Sequence, residues 1–223
     1  MPRVLDIHSG YDARRSDWRA FLHAWFGYPK KYPGTTIFNV LDMRRGTSDD
    51  EIAALQQRLN LPHLPPSYVD FLHCVRIDAA RCEAEDYGLE PLENIDYFPS
   101  IDPELFKFFQ NEAPEDSPDE KYFVYGKEQD NAQFKDSLWG GMVVLGTLFP
   151  NDYLLLNTQV QTKDGEFECI LYSYTSSFRT LSFAAMMRAW CVYEMMSSEI
   201  GSYPPYEDSL MNSAIPALIA SGR

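Results

Sequence analysis

Basic charge is what this sequence has least of: 19 Lys and Arg stand against 33 Asp and Glu, a formal net charge of −14. Such a surface repels a nucleic-acid backbone or an anionic membrane, so neither is expected as a partner, whereas a cationic protein is. No apolar run approaches the roughly 18–20 residues that cross a bilayer. The first twenty residues, MPRVLDIHSGYDARRSDWRA, have no apolar centre of the kind a secretory signal carries, and the expected location is the cytoplasm. Four cysteines (Cys74, Cys82, Cys169 and Cys191) are too few for a disulfide scaffold, and none forms a C-x-x-C pair, so reduced, mostly buried thiols are expected. G-x-S-x-G, a phosphate-binding glycine loop and a dinucleotide fingerprint are missing. His8, His23, His63 and His73 form neither H-x-x-x-H nor H-E-x-x-H, and no catalytic residue, metal or cofactor is expected.

What the chain does have is apolar mass, 45% hydrophobic residues with 14% aromatics over 223 positions, enough for one substantial core. Trp18, Phe21, Leu22 and Trp25 recur at helical spacing in 16–26 behind a possible Ser16 cap. Gly27, Pro29, Pro33 and Gly34 make 27–36 a connecting loop. Ser48-Asp-Asp-Glu51 is a capping box opening a helix over about 49–60, with Ile52, Leu55 and Leu59 on one face. Pro62, Pro65 and Pro66 stop it, and Pro66 suits the first position of a second helix carrying Tyr68, Phe71, Leu72 and Val75. A short strand is expected within Leu89–Ile95, then a helix capped by Asp102-Pro103 with Leu105, Phe106, Phe108 and Phe109, then a solvated loop at 111–120.

From there the period turns strand-like. Tyr122–Tyr125, Gly141–Phe149, Tyr153–Thr158 and Phe167–Tyr174 read as strands of an antiparallel meander, with hairpin chemistry at Pro150-Asn-Asp152 and Lys163-Asp-Gly-Glu166. Phe183–Met196 reads as a long helix packed across the sheet, and 208–220 as a further short one. The expected class is α+β.

Several of these pieces together resemble the SUKH superfamily of bacterial immunity proteins and fungal cell-wall-synthesis regulators. They are Leu61-Pro-His-Leu-Pro-Pro-Ser-Tyr-Val-Asp-Phe-Leu72, Pro91-Leu-Glu-Asn-Ile95, the Trp139-Gly-Gly141 strand start, the block Leu145–Asn157, the Gly165-Glu-Phe-Glu168 hairpin and Ser182-Phe183 opening the last helix. The resemblance covers roughly residues 48–196 of a single domain, leaving 1–47 as an N-terminal extension and 197–223 as a tail. It implies helices packed on a largely antiparallel sheet and a protein that acts by binding: bacterial members neutralise a partner toxin, often a nuclease, and the fungal members are regulators. No catalytic residue comes with it, because the matching positions are prolines, core aliphatics and turn glycines.

Charge is unevenly spread. Residues 83–136 hold sixteen acidic and four basic side chains, a net −12 of the total −14, while 1–48 are net basic. One reading makes this segment a polyanionic face that covers a basic toxin, with Glu83, Glu85, Asp86, Glu112, Glu115, Asp116, Asp119 and Glu120 as contact residues. The plainer reading is a solvated, solubilising surface. Trp139 is either an exposed interface anchor or a core residue closing the sheet. Two further functions compete with toxin neutralisation: a regulatory scaffold with several partners, and a hydrolase with an acid pair in 83–136, whose geometry a linear sequence cannot show.

Overall fold

A computed structural model describes residues 2–27, 41–77, 88–112, 116–149, 151–173 and 176–200, with the backbone alone at 24–27, 112, 127, 148, 149, 176 and 192–200. The expectations for 28–36, Cys82, Trp25 and 208–220 lie outside the residues or side chains described. The class is α+β, as expected. Five antiparallel strands run in the order β4 (Gly88–Leu89), β5 (Met142–Phe149), β6 (Asp152–Gln161), β7 (Phe167–Ser173) and β8 (Ser176–Thr180). Strand β1 (Arg3–Val4) adds in parallel to the end of β6, opposite Val160 and Gln161, where the β6–β7 register slips after Asn157. A separate two-stranded pair joins β2 (Leu41–Asp42) to β3 (Arg76–Ile77).

Antiparallel sheets often leave one face wet. This one is covered on both sides, which is why Met142–Leu145 and Tyr153–Leu156 read as unbroken apolar runs. Val143, Leu145, Leu154, Leu156, Phe167, Cys169 and Leu171 face one layer of helices: α1 (Arg15–Gly27), α2 (Asp49–Arg58), α3 (Pro66–Leu72) and α7 (Phe183–Ile200). The residues between them, Met142, Val144, Tyr153, Leu155, Ile170 and Tyr172, face a second layer built from α4 (Phe98–Ile101), α5 (Pro103–Glu112), α6 (Asp119–Tyr122) and the turns up to Gly141. A strand's side chains alternate between faces, so a one-residue slip would exchange the two cores.

Local chemistry accounts for most element ends. Ser48 and Glu51 close the expected capping box. Pro65 and Pro66 take the cap and first position of α3, so the proline elbow sets the angle between α2 and α3. Asn60, at φ 51°, makes the left-handed step that ends the first of these helices. Asp102 caps α5 as expected, its Oδ1 accepting from the Leu105 N–H at 2.9 Å. Gly165, at φ 82°, supplies the turn between β6 and β7.

Four details differ from expectation. Ser16 lies inside the first turn of α1, and the cap is made instead by Asp17, which accepts from the Arg14 N–H at 2.8 Å. The strand expected in 89–95 is only Gly88–Leu89, because Pro91 follows and the chain turns at 92–94. Tyr122–Tyr125 is no strand: Tyr122 ends the helical turn α6, and its ring and hydroxyl turn inward. Strand β8 was not expected, because its sequence, Ser-Ser-Phe-Arg-Thr, holds one apolar residue and no alternation.

Candidate functional site

Of the acidic stretch 83–136, residues 98–112 and 116–136 build the second layer, while Gly88–Leu89 is a strand of the sheet and the turn at 91–95 lies against α2. Phe98, Leu105, Phe106, Phe109 and Phe134 point into the sheet, while Glu104, Asp116, Asp119 and Glu120 are exposed between them. Of the expected contact residues, Asp116 and Asp119 converge on Lys135, whose Nζ lies 2.8 Å from Asp119 Oδ1 and 4.0 Å from Asp116 Oδ2. Arg3 of β1 also pairs with Asp119 and places its guanidinium 4.3 Å over the Phe123 ring. Asp116 takes the Ser137 N–H at 3.0 Å and the Ser137 hydroxyl. Burial pushes the Asp116 carboxyl up, but these bonds and Lys135 outweigh it and hold the group below its ordinary value. Lys135 and Arg3 lower Asp119 as well. Both aspartates thus tie the segment down as much as they charge it. Glu120 is exposed. Glu83, Glu85, Asp86 and Glu115 lie outside the described residues, as does the side chain of Glu112, which ends α5.

Of the two readings of Trp139, interface anchor or core residue, its burial excludes the exposed anchor and leaves the core. The side chain is 3% exposed, stacks on Phe109 at 4.3 Å and 8°, meets Phe98 and Tyr172 edge-on or tilted, and donates its indole N–H to Asp136 at 3.1 Å. The adjacent Gly141 leaves the space that the Gln159 side chain fills, where a Cβ would clash.

Behind the acidic surface lies a buried polar network that sequence reasoning passed over. Glu168, 1% exposed, accepts from the Asn157 amide at 2.7 Å and from the hydroxyls of Tyr122 at 3.0 Å and Tyr125 at 2.8 Å. Arg179 is equally buried. Its guanidinium donates to the Gln133 carbonyl at 2.8 Å and the Ser177 hydroxyl at 2.9 Å, and lies 4.5 Å over the Tyr122 ring. Burial raises Glu168 above its ordinary range, against its hydrogen bonds and Arg179, and raises both tyrosines. For Glu168 the signal was present in the sequence: it interrupts the apolar run Phe167–Tyr172, where an inward charge must find partners. The neighbouring cavity, between Tyr122, Trp139 and Tyr172, is about 10 Å³, at or below the size of one water. The network joins the second layer to the sheet.

A second buried carboxylate serves the helices. Glu166, in the β6–β7 turn, accepts the Ser67 N–H at Oε1 and the Ser67 hydroxyl at Oε2, both at 2.6 Å, and a further bond from the Phe183 N–H. Ala184 donates to the Ser67 hydroxyl at 3.2 Å. One side chain thus caps the starts of α3 and α7, where unpaired N–H groups and helix dipoles favour an acceptor. The Leu-Pro-Pro-Ser-Tyr, Gly-Glu-x-Glu and Ser-Phe motifs meet at this point.

A groove of about 270 Å³ is lined by Thr47, Glu51, Ala54, Leu55, Arg58, Arg76, Ile77, Leu92 and Glu93. Its cations are engaged. Arg76 pairs with Glu51 at 2.7 Å, and Arg58 donates to the carbonyls of Leu92, Glu93 and Ile95, which fixes the Pro-Leu-Glu-Asn-Ile turn to α2. Cys74 and Cys169 are buried, free thiols, and Cys191 is buried as well. Among the described residues no three His, Cys, Asp or Glu gather at metal-binding spacing, and no helix is long and apolar enough to cross a membrane.

No family model, curated protein or solved structure matches this chain. The Leu61–Leu72, Gly165–Glu168 with Ser182-Phe183, and Pro91–Ile95 motifs build the helix elbow, the two-helix cap and the Arg58-held turn.

Proposed function

We propose that this is an immunity-type protein that binds a cognate toxin and neutralises it by noncovalent occlusion in the cytoplasm, without chemistry or cofactor of its own. The observation that carries the reading is the segregation of charge. Residues 98–112 and 116–136, with nine acidic and four basic side chains, form one layer over one sheet face, backed by an aromatic core and pinned by Glu168, Tyr122 and Tyr125. A polyanionic face on a stiff support suits a partner whose active surface is basic, such as a nuclease. It attracts that partner at long range and pays little conformational entropy on contact. The motifs that resemble SUKH proteins support the same reading, because the bacterial members neutralise toxins by binding.

The test expresses the chain beside the product of the adjacent gene. The expected result is rescue of growth in cells producing that protein, and a purified complex whose association rate falls steeply as salt rises from 50 to 500 mM, about one Debye length shrinking from roughly 14 to 4 Å. Absence of both rescue and complex overturns the proposal. A complex with a flat salt slope removes the acidic layer from the mechanism.

A further inference from the structure

Among the described residues four large apolar side chains are prominently exposed: Val4 (56%), Ile7 (40%), Ile101 (41%) and Phe108 (41%). Two belong to the N-terminal strand region. The other two sit on α4 and α5, inside the acidic layer. Resting on the binding reading above, we propose that this α4–α5 corner is the contact face, with Phe108 as the anchor, and that its occupant is a protein presenting an apolar socket rimmed by Lys or Arg.

Phe108 cannot turn inward at small cost. Leu105, Phe106 and Phe109 already face the sheet, and Phe109 is stacked on Trp139. Burying Phe108 would require rotating α5 by about 100° and breaking that stack. The helix start is fixed as well: Asp102 accepts the Leu105 N–H through Oδ1 and the Tyr153 hydroxyl through Oδ2 at 2.8 Å. Phe109 meets the Phe108 ring edge-on at 5.9 Å, a neighbour held rigid by its own stack on Trp139. An aromatic ring held out from a stiff helix is pre-ordered for binding, since little rotamer or backbone freedom is lost on contact.

Charge selects the occupant. From Phe98 to Glu112, the span of α4 and α5, the chain has three acidic residues (Asp102, Glu104 and Glu112) and one basic, Lys107. Glu104 stands one helical turn before Phe108, on the same stripe. A second copy of this chain would bring like charge against like, so a basic protein is favoured over self-association.

The experiment measures binding of the full chain to the purified product of the adjacent gene, comparing Phe108→Ala, Ile101→Ala and Val4→Ala, with near-ultraviolet circular dichroism confirming that each is folded. Phe108→Ala is expected to weaken Kd by about 30-fold or more, as truncation of a central aromatic anchor does, while Val4→Ala stays within about 2-fold. Glu104→Lys is expected to slow association and flatten its salt dependence. If wild type binds and Phe108→Ala binds equally well, this face is wrong and the binding function stands. If wild type does not bind, both fall. A wild-type dimer in light scattering that Phe108→Ala abolishes would make the occupant a second copy and overturn the inference.

Discussion

Replacing Glu166 by Gln should change how stability depends on pH. Burial pushes this carboxyl up to about 7 from the 4.5 of an unperturbed glutamate, Ser67 pulls it down, and the charge of Asp164 pushes it up again. The groups facing it are Ser67 on α3, the Phe183 N–H of α7, Asp164 in its own turn, and Tyr11 and Cys169, both held neutral by raised pKa values. Asp164, lowered to about 2, remains ionised across the relevant range. Between pH 4.5 and 7 the folded chain keeps a proton on Glu166 that the unfolded chain has released, so stability falls as pH rises through that window and is flat above it. A gap of ~2.5 pH units at ~1.4 kcal/mol each amounts to about 3 kcal/mol. Gln reproduces the protonated form: its oxygen accepts the Ser67 N–H and its amide donates to the Ser67 hydroxyl. Urea unfolding of wild type and Glu166→Gln at half-unit steps from pH 4.5 to 8.5 should show the variant gaining about 3 kcal/mol on wild type across the window. Curves that run parallel would refute the buried-carboxylate reasoning.

Three further outcomes follow from the second layer. Arg179→Met removes the cation nearest Glu168 and should cost about 3–5 kcal/mol in urea unfolding, with Glu168→Gln in the same chain restoring part of it, because the loss is that of an unpaired buried charge. Gln129 closes the outer edge of β8 with its side-chain amide, which donates to the Arg179 carbonyl at 2.9 Å and accepts its N–H at 2.6 Å. Gln129→Ala should cost about 2–3 kcal/mol and raise concentration-dependent light scattering, since an unpaired strand edge invites pairing. Trp139→Ala should lose about 3–5 kcal/mol and the near-ultraviolet signal of the aromatic stack, without a specific loss of partner affinity at temperatures where it stays folded.

The sequence by itself determined what depends on neighbours along the chain. The Ser48–Glu51 box, the Pro65-Pro66 start of α3, the Asp102 cap, the apolar runs of β5 to β7 and the long final helix were legible because their signals are spacing and backbone chemistry within a turn or a strand. Tyr122–Tyr125 misled for the same reason. Its aromatic content suits a strand, but the hydroxyls are needed by Glu168, more than forty residues away. Only the tertiary structure decided which acidic residues are free and which are spent: Asp116 and Asp119 on Lys135, Glu166 on two helix starts, Glu168 on a buried network. It also decided that Trp139 is inside and Phe108 outside, since hydrophobicity says that a ring prefers burial, while the rotation of α5 against the sheet says which ring receives it.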